Sequence, residues 1–186
     1  MLELRTPRVF LLQGTDIFLR PLVVSDVGEH YVRWMNDPQI TRYLESRFKA
    51  YTLEEIQGYV RDLSQDTDNI LAGIFLNATE QHIGNIKLGP LNRHHGFAEM
   101  GLIIGAKEHW GRGYAAQAIR LFSDFGFDQV GLNRIVAGAY ESNQGSVKAF
   151  LKSGFQKEGV LRGHWLVDGV YQDGICLGKR RCEKAN

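Results

Sequence analysis

Between residues 70 and 104 three strand-like segments follow one another with no room for a helix between them. Ile70 to Leu76 and His82 to Leu88 are apolar and rich in β-branched residues, and Asn77 to Gln81 reads as the turn joining them. Phe97 to Ile104 is the third segment. Parallel neighbours need a crossover of roughly a dozen residues or more, usually a helix. Connections this short leave antiparallel pairing, so the middle of the chain predicts a meander.

Helical patterns flank the meander. VFLLQGTDIFLRPL predicts two short strands joined at Gln13-Gly14-Thr15-Asp16. Asp26 and Glu29 have capping-box spacing, followed by Val27, Tyr31 and Trp34 at helical spacing and a stop at Asp37-Pro38. A short helix is expected around Gln39 to Leu44. Thr52 and Glu55 form a second capping box, and Ile56, Tyr59, Val60 and Leu63 give an amphipathic stripe. After the meander, Ala115, Ala118, Ile119 and Phe122 mark a helix ending near Gly126, and Arg134 to Tyr140 a strand. Asn143 then caps a helix bearing Val147, Phe150 and Leu151, closed by Gly154. The last segment reads as a hairpin turning at Asp168-Gly169. The expected fold is an α+β domain around a mixed sheet. With no linker, repeat or low-complexity stretch, residues 1–186 read as a single domain.

Composition excludes several classes. The net charge of +1 offers no basic surface for nucleic acid. No apolar run reaches the roughly 18 residues of a membrane span, and the apolar stretch near the start is too short for a signal peptide. A cytoplasmic location is expected. Cys176 and Cys182 fit neither a zinc pattern nor a disulfide framework and read as reduced and structural. His94 and His95 read as solvated loop residues, so no metal is expected.

HWGRGYAAQAIR, residues 109–120, carries the strongest functional signal. Glycine costs roughly 1 kcal/mol against alanine inside a helix, yet Gly111 and Gly113 stand directly before one. They make either a tight loop or an anion site, where free N–H groups and the positive end of the helix dipole meet a phosphate. Arg112 and Lys107 would add charge. The phosphate-binding lysine loop is absent. Gly111, Gly113 and Ala116 match a dinucleotide fingerprint, but the preceding strand ends too early and follows a meander where βα units are required. A second motif opens and closes the next helix, with Asn143-Gln-Gly-Ser146 at its start and Lys152-Ser-Gly-Phe155 at its end. Two such strand–loop–helix units side by side would form a cleft where their strands splay.

AEMGLIIG at 98–105, WGRGYAAQAI at 110–119 and NQGSVKAFLKSGFQKEGVLRG at 143–163 together resemble the GNAT superfamily of N-acetyltransferases, and within it the RimJ/RimL-type branch. The resemblance implies the GNAT fold: a mixed, mostly antiparallel sheet flanked by helices, with splayed strands forming an acetyl-CoA cleft. It implies that Trp110, Gly111, Arg112, Gly113, Tyr114 and Ala115 hold the coenzyme A pyrophosphate, mainly through backbone N–H groups. Trp110 stands where the general pattern has Gln or Arg, as is usual in this branch. Leu102, Ile103 and Ile104 would pair their backbone with the pantetheine arm, and Asn143 and Lys152 complete the cofactor set.

The implied reaction moves an acetyl group to a primary amine by direct attack in a ternary complex. At pH 7 a lysine amine is roughly 0.04% neutral and an α-amine about 10%, so a base is useful. Glu99 is the candidate base, with a structural carboxylate as its alternative role. Many members place a tyrosine acid where this chain has Phe150, and Ser146 is left to hydrogen-bond the departing sulfur. Asn143 and Ser146 also read as plain helix-capping residues. The acceptor groove would fall to Trp34 through Phe48 and His164 through Asp173. The acceptor stays open between a protein N-terminus, an amino-sugar nucleotide and a small-molecule amine. A monomer or homodimer without nucleic-acid or membrane partners is expected. The alternative functions are a non-catalytic acyl-CoA-binding module and a nicotinamide oxidoreductase.

Overall fold

A computed structural model describes residues 4–181. The chain opens with β1 (Leu12–Gln13) and β2 (Ile17–Pro21), turning at the expected Gly14. The first helix, α1 (Glu29–Asn36), starts later than its sequence suggests. Asp26 does not cap it: its carboxylate takes the Val23 N–H at 3.0 Å and a two-pronged ion pair with Arg20 at 2.6 and 2.7 Å. An arginine fork outcompetes a single capping bond. Gly28 occupies the N-cap with no side-chain bond.

Asp37 ends α1 and caps the one-turn α2 (Pro38–Thr41), accepting the Gln39 N–H at 2.9 Å. This helix is shorter than expected, and a 3-10 turn over Glu45–Phe48 replaces its second half. The Thr52/Glu55 capping box forms as read, and α3 (Leu53–Gln65) buries Ile56, Val60 and Leu63.

The meander is β3 (Ile70–Leu76), β4 (His82–Asn92) and β5 (Phe97–Ile104), all antiparallel. Beyond it come α4 (Tyr114–Phe125), β6 (Arg134–Tyr140), α5 (Gln144–Lys152), β7 (Gln156–Val167) and β8 (Val170–Arg180). The chain leaves α4 through a wider helical turn, Gly126–Val130, and stops at Gly131 in the left-handed region. Asp168 and Gly169, both at positive φ, make the final hairpin turn.

The eight strands form one sheet in the order β1-β2-β3-β4-β5-β6-β8-β7. Only β5 and β6 are parallel. Alternation along the strands separates two faces. Asn85, Lys87 and Gly101 look toward α1 and α3, whereas Leu88 reaches the far end of α4 at Gly126. Phe122 on α4 is fully buried and stacks on Phe125. Truncating such a core phenylalanine costs about 3–5 kcal/mol. Cys176 is a half-buried free thiol, as expected, and Cys182 lies outside the described residues.

Candidate active site

The parallel pair is short. β5 and β6 hold register only at Phe97–Arg134, Ala98–Ile135 and Glu99–Val136. Past Glu99 they part, and β6 continues to Tyr140 against β8 alone. The edge of β5 from Met100 to Ile104 therefore faces a wedge with no strand in it. Its backbone groups on that side are open to a ligand, as an unpaired sheet edge always is.

The glycine loop closes the wide end of this wedge. Trp110 Nε1 donates to Ile104 O at 2.7 Å and ties the loop to the end of β5. Gly111 and Gly113 have φ of 76° and 85°, where only glycine sits without strain. A Cβ at either position would meet nothing within 4 Å, so the loop faces open space. The N–H groups of Gly111, Arg112 and Gly113 make no backbone bond among the described residues. Those of Tyr114 and Ala115 are the free first turn of α4. Unpaired N–H groups at a helix N-terminus are the general makings of an anion site. Arg112 is exposed beside it. Lys107 is not available there: its Nζ is held by Asp37 at 2.7 Å and Gln39 at 3.0 Å.

Lys152 comes to the same end of the molecule. Its neighbour Ser153, which the sequence reading passed over, is 3% exposed. The Ser153 hydroxyl shares its hydrogen between Ala116 O at 2.9 Å and Ala149 O at 2.8 Å. This pins the end of α5 to the first turn of α4 and leaves Lys152 exposed close by. Asn143 lies at the other end of α5 and accepts the Ser146 N–H at 3.2 Å, so the capping role is realised. Ser146 is half-buried, and its Oγ has no partner among the described residues. Phe150 is 1% exposed and packs edge-on against Phe155 in the core. Glu99 is exposed at the fork, the last residue of β5 that still pairs with β6. It shares its face with Gly101.

Sequence reasoning missed Tyr140. Its hydroxyl donates to Glu45 Oε1 and accepts from Arg47 Nη1, both at 2.9 Å. Its ring stacks on Trp165 at 4.9 Å. Burial, more than any other influence, raises its phenol above the ordinary range. The only sequence signal was a tyrosine ending a strand just before a capping asparagine. Arg42 is likewise engaged, by Asp168 at 2.8 Å. All three charges in RYLESRF, Arg42, Glu45 and Arg47, thus join segments of the chain, and Arg47 also reaches Leu166 O at 3.2 Å.

Two cavities flank these residues. One, of about 620 Å³, lies between Met35 through Ala50 and the hairpin tip Leu166–Gly169, the region expected to shape the acceptor groove. It does not touch β5. The other, of about 580 Å³, is walled by α1, α3 and the 3-10 turn and floored by Leu71, Asn85, Lys87 and Gly101–Ile103. Only this second cavity reaches β5. Tyr31, Tyr51, Tyr59 and Ile56 supply its apolar surface. Burial pushes the Tyr31 and Tyr59 phenols upward, so both stay neutral hydrogen-bonding groups.

An open wedge beside the glycine loop and a cavity on the neighbouring face of β5 give the strand room for two ligands. The family model described as "Acetyltransferase (GNAT) domain" matches residues 16–156. The chain is similar to the uncharacterized N-acetyltransferase YoaA of Bacillus subtilis, 34% identical over 88% of this chain and 92% of that protein. It is 32% identical to the probable N-acetyltransferase YjcK of the same organism, over 88% and 93% of the two chains. It is 26% identical to spermidine N(1)-acetyltransferase of Escherichia coli over 86% and 83%. The crystal structure of spermidine N-acetyltransferase from Vibrio cholerae in complex with CoA and spermine superposes with a TM-score of 0.80, at 24% identity, covering 90% of this chain and 96% of that one. The chain belongs to the GNAT acetyltransferase family, and its enzymatic class is acetyl-CoA-dependent acetyltransferase. The nicotinamide oxidoreductase alternative falls with the topology, because a single parallel pair is not a doubly wound sheet. No helix among the described residues is long and apolar enough to cross a membrane. No cluster of three metal-ligating side chains occurs among them.

Proposed function

We propose that the chain is an N-acetyltransferase of the RimJ/RimL-type branch, acting as a single domain on a primary amine that enters the cavity beside β5. The observation that carries this is the meeting of wedge and cavity at Gly101–Ile103. Trp110 at the head of the loop and Ser146 three residues after Asn143 support the branch. A relative named spermidine N(1)-acetyltransferase supports an amine acceptor.

Bound acetyl-CoA would supply the thioester carbonyl as electrophile. Gly111 through Ala115 hold its pyrophosphate by backbone N–H groups, with Arg112 and Lys152 adding positive charge at the rim. Leu102, Ile103 and Ile104 offer the open edge of β5 to the pantetheine amides. Asn143 orients the same arm from the start of α5. N–H groups on this edge donate to the carbonyl oxygen as it gains charge, in a site where fixed dipoles need no reorganisation. Glu99 takes a proton from the ammonium, directly or through water, so that the neutral amine attacks from the face of Gly101. Ser146 hydrogen-bonds the departing sulfur, whose thiolate needs little acid help because a thiol pKa lies near 8.5.

The test is calorimetry on the whole chain with acetyl-CoA, coenzyme A, NADPH and ATP titrated separately. Saturable binding of the first two alone is expected. Acetyl-CoA binding that survives Gly113→Val would remove the loop from the site. Binding with no thiol release for any amine would leave the acyl-CoA-binding module as the better reading.

A further inference from the structure

The cavity beside β5 carries a polar pattern that selects among amines, given that it is the acceptor site proposed above. Asn85 on β4 is 3% exposed, yet its Nδ2 has no hydrogen-bond partner among the described residues. Its other amide atom is committed. His82 Nε2 lies 2.9 Å from Gly84 O and 2.9 Å from Asn85 Oδ1. A carbonyl oxygen can only accept, so Nε2 bears the hydrogen and Asn85 must present its oxygen there. His82 Nδ1 is then a lone pair, and it accepts from His30 Nε2 at 3.0 Å. Burial lowers the pKa of both imidazoles, which favours the neutral forms this chain of bonds requires. The amide nitrogen of Asn85 is thereby held as a fixed donor, buried beneath the lining of the cavity to which this residue belongs.

The charges point the same way. Glu55 is paired with Lys49 at 3.1 Å, and Glu45 with Arg47 at 3.6 Å and with the Tyr140 hydroxyl. Lys87 makes no ion pair among the described residues. It stands two residues from Asn85 on the same strand, opposite Gly101. Ser46, whose buried Oγ has no partner among the described residues, lines the same cavity. The unsatisfied groups are thus a fixed donor, a cation and a hydroxyl, whereas both lining carboxylates are already engaged. Glu99 stands outside this set, one step along β5 from Gly101.

We infer that the acceptor is an amine that also bears an anionic oxygen group, a carboxylate or a phosphate, received by Asn85 Nδ2 and Lys87 Nζ with the amine directed toward Glu99. A linear polyamine has no oxygen for Asn85 and brings like charge to Lys87. Spermidine is therefore a poor substrate, although related enzymes carry its name.

The experiment uses the full chain and acetyl-CoA and reads thiol release for matched amines. Phenylalanine is set against phenethylamine, and phosphoethanolamine against ethanolamine, with spermidine as a fifth acceptor. In one pair or both, the oxyanion-bearing member should exceed its twin in kcat/KM by about tenfold or more, the scale of one charge-assisted hydrogen bond. Which pair responds separates carboxylate from phosphate. Lys87→Met and Asn85→Leu should each raise KM for the preferred member and bring the ratio toward one. Lys87 is half-buried, so its variant keeps the test alive should Asn85→Leu misfold. Twins of equal rate, spermidine ahead of both pairs, or turnover of none of the five would overturn the inference. Calorimetry with acetyl-CoA on the same variants separates the two levels. Lost acetyl-CoA binding in the parent chain sinks the site itself, whereas intact binding with no oxyanion preference sinks only the acceptor class.

Discussion

The two sides of β5 are built from different materials. The wedge toward β6 is lined by backbone: an unpaired strand edge, two glycines at positive φ and the first turn of α4. The cavity toward α1 and α3 is lined by side chains drawn from helices, a 3-10 turn and three strands. Backbone donors are the same in any sequence that can adopt the turn, so the wedge suits a ligand shared by a whole family. Side chains are free to differ from one chain to the next, and the cavity is where one member departs from another. The fixed amide of Asn85 and the unpaired Lys87 are features of that second kind.

Substitutions can break this contrast in order of expected size. Glu99→Gln should lower kcat by about 10²–10³, the usual range for loss of a general base, while acetyl-CoA affinity stays as it was. Part of the loss should return at high pH, where more of the amine is already neutral, and a pH–rate profile will show it. Gly113→Val should do the reverse, weakening acetyl-CoA by roughly 100-fold in calorimetry, because a β-branched residue at this φ displaces the cradle. If both changes act on the same parameter, the separation into a donor side and an acceptor side is wrong. Ser153→Ala removes the hydroxyl bond that ties α5 to Ala116 O and should cost about 1 kcal/mol, roughly 2–4 °C in Tm by calorimetric scan. Ser146→Ala should lower kcat by only about tenfold or less, since the thiolate is a good leaving group.

The smallest effect is in stability against pH. Burial depresses both His30 and His82 below their unfolded value near 6.5. Below that value the unfolded chain binds protons that the folded chain refuses, so stability falls as pH drops. Above it the contribution is fully present. Tm should decline by a few degrees between about pH 7 and 5.5, and His82→Gln should flatten the slope.

Much of the fold was legible in local pattern. The β5 and β6 boundaries and the Thr52/Glu55 and Asn143 caps follow from periodicity and capping spacing alone. The failures share one cause. Asp26 has capping-box spacing to Glu29, but Arg20, six residues earlier and outside that motif, claims its carboxylate. Lys107 was read as phosphate-binding, but Asp37 holds it. Tyr140 and Ser153 gave no signal because their partners, Glu45, Arg47 and Ala116, lie far away in the chain. In each case a hydrogen bond to a group outside the local motif decided the role, six residues away for Asp26 and far along the chain for the others.

By itself the sequence determined the meander, the helices and the glycine loop, because short connections, apolar spacing and positive-φ demand are properties of a few adjacent residues. The tertiary structure alone decided where β5 and β6 part and which polar groups of the cavity remain unspent. Those outcomes depend on which side chains find each other first across the folded chain, and a charge already paired has nothing left to offer a substrate.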